Sequence, residues 1–369
     1  MQYFVYYLVI LASTFFTRGL TNNPLLQGHL IFFVISAFFV FLYLLKTQKI
    51  SPKSLVIIIC GFIVFLHITF QYFVLELNIK IINELGRLVI PILTLAIYMI
   101  TLENTSRPKI LIRFFIIITI AFFSIDFILR MSQVNDLMSR YSVKRGGFLF
   151  TDSNFTGYFA SSFILLFKEY KVLFSKAARK LIILSFIIIL ASTGSLAAYF
   201  MLGVGLVLRA CIKSKKLYVL FSALISIIVL FFADLMSVLI SDGSFNTKIK
   251  IITDAILLIK NVSFVELMLG QGSGLFAQVT AGKYPSHNLL GIFVEMGMLF
   301  LMVQFVIYYK LLKNSPVACY NLFFSSLLVS MISLYPISYI AIQWILIYSV
   351  AFLVCNDRSS LPIIKSKGL

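Results

Sequence analysis

"NLLGIFVEMGMLFLMVQFVIYY" (288–309) is a run of 22 residues whose only charged side chain is Glu295. Wound as a helix it is about 33 Å long, and the hydrocarbon core of a bilayer is about 30 Å thick. The run therefore reads as a membrane span. It is one of many. Comparable apolar segments recur at about 3–16, 30–45, 55–75, 88–102, 110–129, 155–167, 181–191, 195–208, 217–240, 316–334 and 339–355. The pair flanking "STGS" (192–195) is short for two full crossings and could be re-entrant.

The rest of the chain agrees with this reading. Hydrophobic residues make up 61% of it and charged residues 12%, against about 25% charged in a soluble domain. No stretch has the composition of a soluble domain. The expected fold is an all-α polytopic membrane protein. It forms a single integral membrane domain over 1–369, with about 12 transmembrane helices. The first run, 3–16, lacks a basic leader and a small-residue cleavage site, so it reads as a span and not as a removable signal. No internal repeat is visible. Cys60, Cys211, Cys319 and Cys355 have neither metal spacing nor a long loop to cross-link.

A net charge of +18 would point to nucleic acid in a soluble protein. Here the basic residues sort by side. The loops after the second, fourth, sixth, eighth and tenth spans, with the C-terminal tail and Arg113 at the mouth of the fifth span, hold 20 of the 31 Lys and Arg. The positive-inside rule then puts both termini in the cytoplasm. Two long loops, 130–153 and 241–287, face outward.

Those outer loops carry 8 of the remaining 11 basic residues. Loop 130–153 holds Arg130, Arg140, Lys144 and Arg145. It is either a solvated loop or an anion site, for which the planar fork of arginine suits phosphate. In loop 241–287, apolar residues at 249, 252, 256 and 259 have helical spacing. They predict an amphipathic helix over 245–264, against the membrane or the bundle. "LGQGSGLF" (269–276) follows, a turn in which glycines permit positive φ and a close backbone approach.

"KYPSHNLLGIFVEMGMLF" (283–300) then opens the tenth span with an imidazole, His287, and carries Glu295 eight residues later. By helical rise that is about 12 Å deeper, so the two are not a contacting acid–base pair. Glu295 is expected to face the bundle or a cavity. Asp126 and Asp234 are expected to pair with cations such as Arg130. His67, in the middle of the third span, is expected to bond a neighbouring helix.

Together these residues resemble a family. "SHNLLGIFVEMG" (286–297) resembles the His-Asn-x-x-Leu…Glu-x-Gly signature of bacterial O-antigen polymerases and O-antigen ligases. "RGGFLFTDSNFTGYFASS" (145–162) resembles their outer-loop segment, and "LGQGSGLF" their Gly-x-Gly before the histidine. Two departures stand out. Lys248 and Lys250 occupy the region where many relatives carry a second arginine, and "STGSLAAYF" (192–200) stands where many read Ser-Arg-Gly.

The resemblance implies a GT-C-like glycosyltransferase bundle in the bacterial inner membrane, with its active site at the periplasmic face. It implies a metal-independent transfer, without cofactor, of a growing glycan from undecaprenyl diphosphate onto a new lipid-linked repeat. Implied partners are that oligosaccharide-bearing lipid, membrane lipid and a chain-length regulator, with no nucleic acid. His287 would be the base and Arg145 the diphosphate clamp, with Lys248 or Lys250 as a second clamp. Arg140, Asn154, Tyr284 and Glu295 would be further substrate contacts. The thinner basic pattern and short chain favour a polymerase over an O-antigen ligase. A lipid-linked oligosaccharide flippase or other transporter is the alternative of a different class.

Overall fold

The computed structural model describes residues 34–35, 38, 50–74, 85–132, 153–213, 243–260, 262–272, 289–332 and 340–359. Among them the chain is helical, with no strand. The helices are α1 (Pro52–Val74), α2 (Ile90–Glu103), α3 (Pro108–Met131), α4 (Ser153–Leu166), α5 (Lys176–Ala191) and α6 (Leu196–Lys213). They continue with α7 (Gly243–Lys260), α8 (Phe264–Leu269), α9 (Leu289–Leu312), α10 (Val317–Ile332) and α11 (Ile340–Ser359). One π turn, Leu85–Val89, leads into α2, and a 3₁₀ turn, Phe167–Val172, follows α4. The expected spans at 3–16 and 217–240, and most of 30–45, lie outside the described residues.

Among the described residues, three helices are long and apolar enough to cross a membrane: α1, α3 and α9. Shorter apolar helices are Ile90–Glu103, Leu196–Ala210, Val317–Ser330 and Ala341–Cys355. Several expected boundaries shift. The basic stretch 168–180 is not all loop, because Ser175 caps α5 by accepting from the Ala178 N–H at 3.3 Å, which starts that helix at Lys176.

The helices leave large apolar side chains bare. Phe73 on α1 is 69% exposed, and Phe62, Leu181 and Phe305 are also well exposed. In water such surfaces would associate; in lipid they cost nothing. The opposite faces close a core around Phe115, Phe163 and Phe186, where the last two rings stack at 4.5 Å.

Polar side chains bolt the helices together, since an unpartnered polar group in hydrocarbon is costly. The hydroxyls of Tyr158 (α4) and Tyr308 (α9) both donate to Gln343 Oε1 (α11), at 3.3 and 2.9 Å. The Gln343 amide donates in turn to Ser326 of α10.

The bundle has two chemically distinct ends. At one, Ser54 Oγ donates to Glu103 Oε2 at 3.1 Å and the Tyr348 hydroxyl donates to the other carboxylate oxygen. The same end holds Arg209 against Glu169 at 3.3 Å, and the Arg113 guanidinium over the Phe174 ring at 5.9 Å. This is the basic end. The chain directions put Arg130, Ser192, His67 and Gln71 towards the other end.

Candidate functional site

The end opposite the basic one is built on a break inside α9. Gly297 has φ 68° and ψ −175°, which no helix contains. A side chain there would be strained, and it would also have no room: a Cβ would lie 2.4 Å from Gly270 N and 2.5 Å from Met268 O. Gly270, at φ 80°, answers it, because its own Cβ would lie 2.2 Å from Glu295 O. Two glycines thus let two backbones touch.

The break exposes carbonyls, and each takes a donor from outside the helix. Val294 O accepts from the Gln271 N–H at 2.9 Å, and Glu295 O from the Gly272 N–H at 3.0 Å. Gln71 Nε2, from α1, donates to Glu295 O at 3.0 Å and to Leu269 O at 2.6 Å. His67 Nε2 bonds Met296 O at 3.1 Å, so that nitrogen carries a proton. His67 and Gln71 are four residues apart and share one helix face. Three segments, α1, the end of α8 and α9, are joined at one point. The Gly-x-Gly turn therefore makes its close backbone approach to the chain itself over Gly270–Gly272.

Glu295 is 1% exposed, turned into the bundle as expected. His67 bonds a neighbouring helix, also as expected. Lys248 and Lys250 lie on α7, with Lys250 exposed, and Asn154 sits half-buried in the first turn of α4. His287, Tyr284, Arg140 and Arg145 lie outside the described residues. So do Lys144 and Asp234.

Arg130 departs from the solvated-loop reading. It is fully buried at the end of α3, 3.7 Å from Asp126, with Nη1 and Nη2 donating to Ser192 O and Ser192 Oγ at 2.7 and 2.9 Å. Thr156 Oγ1 reaches the same carboxylate at 3.4 Å. This cation is consumed in tying α3 to α4 and to the "STGS" turn, because burying it unpaired would cost far more than the pair does. Its charge is therefore not available to an anion in the outer loop. Gly157 lets that turn close: a Cβ there would meet Thr193 Oγ1 at 2.9 Å.

The helix expected over 245–264 is present as α7, Gly243–Lys260, with a separate helix, α8, starting at Phe264. Ala255, Leu258 and Ile259 pack against Leu290 and Val294 of α9, while Ile256 is 44% exposed. The break at Gly297, the role of Gln71 and the clamp on Ser192 were not anticipated. The pair His67/Gln71 at i,i+4 was the available signal for the first two. No group of three or more His, Cys, Asp or Glu that could hold a metal lies among the described residues. No family model, curated protein or solved structure matches this chain.

Proposed function

We propose that this chain is a metal-independent glycosyltransferase of the bacterial inner membrane, an O-antigen polymerase. It would pass a growing surface polysaccharide from undecaprenyl diphosphate onto a new lipid-linked repeat unit at the periplasmic face. In this reading both termini are cytoplasmic, the basic end faces the cytoplasm, and the full bundle has about 12 spans of GT-C-like type. One observation carries the reading. Two short motifs that resemble the polymerases, Gly270-Gln271-Gly272 and Glu295-Met296-Gly297, are distant in sequence and meet backbone to backbone. Motif segments that form one joint have a shared structural reason to occur together.

The chemistry proceeds from these elements. The acceptor hydroxyl attacks the anomeric carbon of the donor sugar, and the carbon–oxygen bond to the diphosphate breaks. His287, just ahead of α9, takes the hydroxyl proton. Arg145 pairs with the leaving diphosphate and offsets the charge that builds on it. Lys248 or Lys250 of α7 adds a second cation. Arg140, Asn154 and Tyr284 contact the substrate, and Glu295 steadies the joint from within.

The break also bears on the transporter reading. Transporters use unwound helix carbonyls as cation ligands. Here the carbonyls of Val294, Glu295 and Met296 already accept from protein donors, which favours a mechanical joint over an ion site.

The test is a pair of conservative changes. Arg145→Lys keeps the charge and loses the bidentate fork, so it should abolish most chain growth in cells. Arg140→Lys should be nearly silent. Equal tolerance at both positions would remove the clamp. Accumulation of single repeats on lipid A–core would identify lost polymerisation, whereas loss of all attached glycan would identify a ligase.

A further inference from the structure

The outward face of α7 and α8 is the strongest feature that the proposed reaction leaves unused. α7 turns Ala255, Leu258 and Ile259 to α9. Its other side presents Lys250, Thr253, Leu257 and Lys260, all exposed, within a stripe about 80° wide at 100° per residue. Ile256 borders the stripe. The apolar pair Ile256/Leu257 thus sits between two lysines, with Leu257 53% exposed. α8 continues the surface, since Phe264 is 76% and Val265 58% exposed.

The level of this surface is set by bonds already described. Gln71 of α1 donates to Leu269 O at the end of α8, near where α1, a helix of crossing length, ends at Val74. The exposed Phe70 and Phe73 of α1 lie at that same level. The bare side chains of α8 therefore extend a lipid-facing surface at its rim. Glu266, the exposed acid of α8, is tied to the helix start: its Oε2 accepts from the Ser263 N–H at 2.7 Å.

We propose that the outward face of α7 and α8 docks on the headgroup–acyl boundary of an anionic bilayer. Leu257, Ile256, Phe264 and Val265 enter the acyl region, and Lys250 and Lys260 reach back to lipid phosphates. An apolar centre bracketed by long cationic side chains is the arrangement by which a helix lies in an interface. The sign of the charge selects anionic lipid over a neutral surface. A second protein chain is a poorer occupant, because the surface is continuous with one that already meets lipid. The inference stands apart from the catalytic proposal, as it needs no substrate.

Tryptophan fluorescence tests it on the full chain. The chain holds one tryptophan, Trp344, which is fully buried and supplies a constant background. Leu257→Trp and Phe264→Trp are each reconstituted into phosphatidylcholine–phosphatidylglycerol vesicles with brominated acyl chains. Quenching several-fold above that of the unsubstituted protein is expected at both sites, with little quenching by aqueous acrylamide. Adding Lys250→Glu and Lys260→Glu, or omitting phosphatidylglycerol, should weaken the bromolipid effect. Strong acrylamide quenching without bromolipid quenching would overturn the proposal, as the face would then lie in water. Protection from both quenchers would also overturn it, since another protein chain would cover the face. Bromolipid quenching indifferent to both phosphatidylglycerol and the lysines would overturn the anionic selectivity.

Discussion

Gly297 and Gly270 show how little a sequence says about a site built from missing atoms. Each glycine sits in a plausible context, an apolar run and a turn, and neither context announces a partner. The partner is 27 positions away. Gly297→Ala should therefore be worse than a helix-interior change, which would normally help a helix. It adds strain of about 1–3 kcal/mol, for a backbone conformation that essentially only glycine adopts, to the clash with Gly270 N. We expect a clear fall in folded, monodisperse protein on size-exclusion chromatography, and Gly203→Ala, with nothing near its Cβ, should show none. The Asp126–Arg130 pair gives a sharper case. Arg130→Met strips the cation from the buried Asp126 carboxylate, at a cost of about 3–5 kcal/mol. Adding Asp126→Asn should recover much of the loss in thermal stability. If the double variant is no better than the single one, the hydrogen bonds to Ser192 and not the ion pair hold the joint. The sequence did suggest this pairing, because the two residues are four apart on a helix. It could not reveal that Ser192 completes it, since a side chain reaching 62 positions along the chain leaves no local pattern.

At the scale of elements, the apolar runs were legible because burial in lipid leaves a continuous signal. Which face packs was less so. On α7 the apolar positions 249, 252, 256 and 259 fit a helix and left membrane and bundle both open, and the face that packs on α9 is Ala255, Leu258 and Ile259. Periodicity alone does not say which side of a helix is inside. The start of α8 was not expected either. Its box is reciprocal, with Ser263 accepting from the Glu266 N–H and the Glu266 carboxylate accepting from the Ser263 N–H. The Ser263 N–H, and after it the Ser263 hydroxyl, hold the Glu266 carboxyl below its ordinary pKa. The lowered folded value means that the cap contributes at neutral pH and is lost as the pH falls through that value. Glu266→Gln should accordingly flatten the acid-side loosening of α8, read as protease sensitivity near residues 262–266. A variant that loosens with the same pH dependence would place the titration elsewhere.

For the whole molecule, the all-helical, membrane-like class followed from composition, and the proposed orientation rests on the sorting of Lys and Arg by side. Of the residues that would perform the proposed chemistry, His287, Tyr284, Arg140 and Arg145 lie outside the described residues, while Lys248, Lys250, Asn154 and Glu295 sit on α7, α4 and α9. Orientation is open to a direct check. A cysteine introduced at 140 should react with an impermeant thiol reagent in intact cells, and one at 174 should not. Labelling at 174 would invert the molecule and move the site to the wrong side.

The central claim is that the chain extends a lipid-linked glycan with His287 as base. Purified protein in vesicles, supplied with a lipid-linked repeat unit, tests it through the length distribution of the product. His287→Ala should remain folded and slow elongation by about 10²–10⁴-fold, whereas Glu295→Ala should mainly lower the amount of folded protein. A His287→Ala protein that builds long chains at the unsubstituted rate would contradict the account.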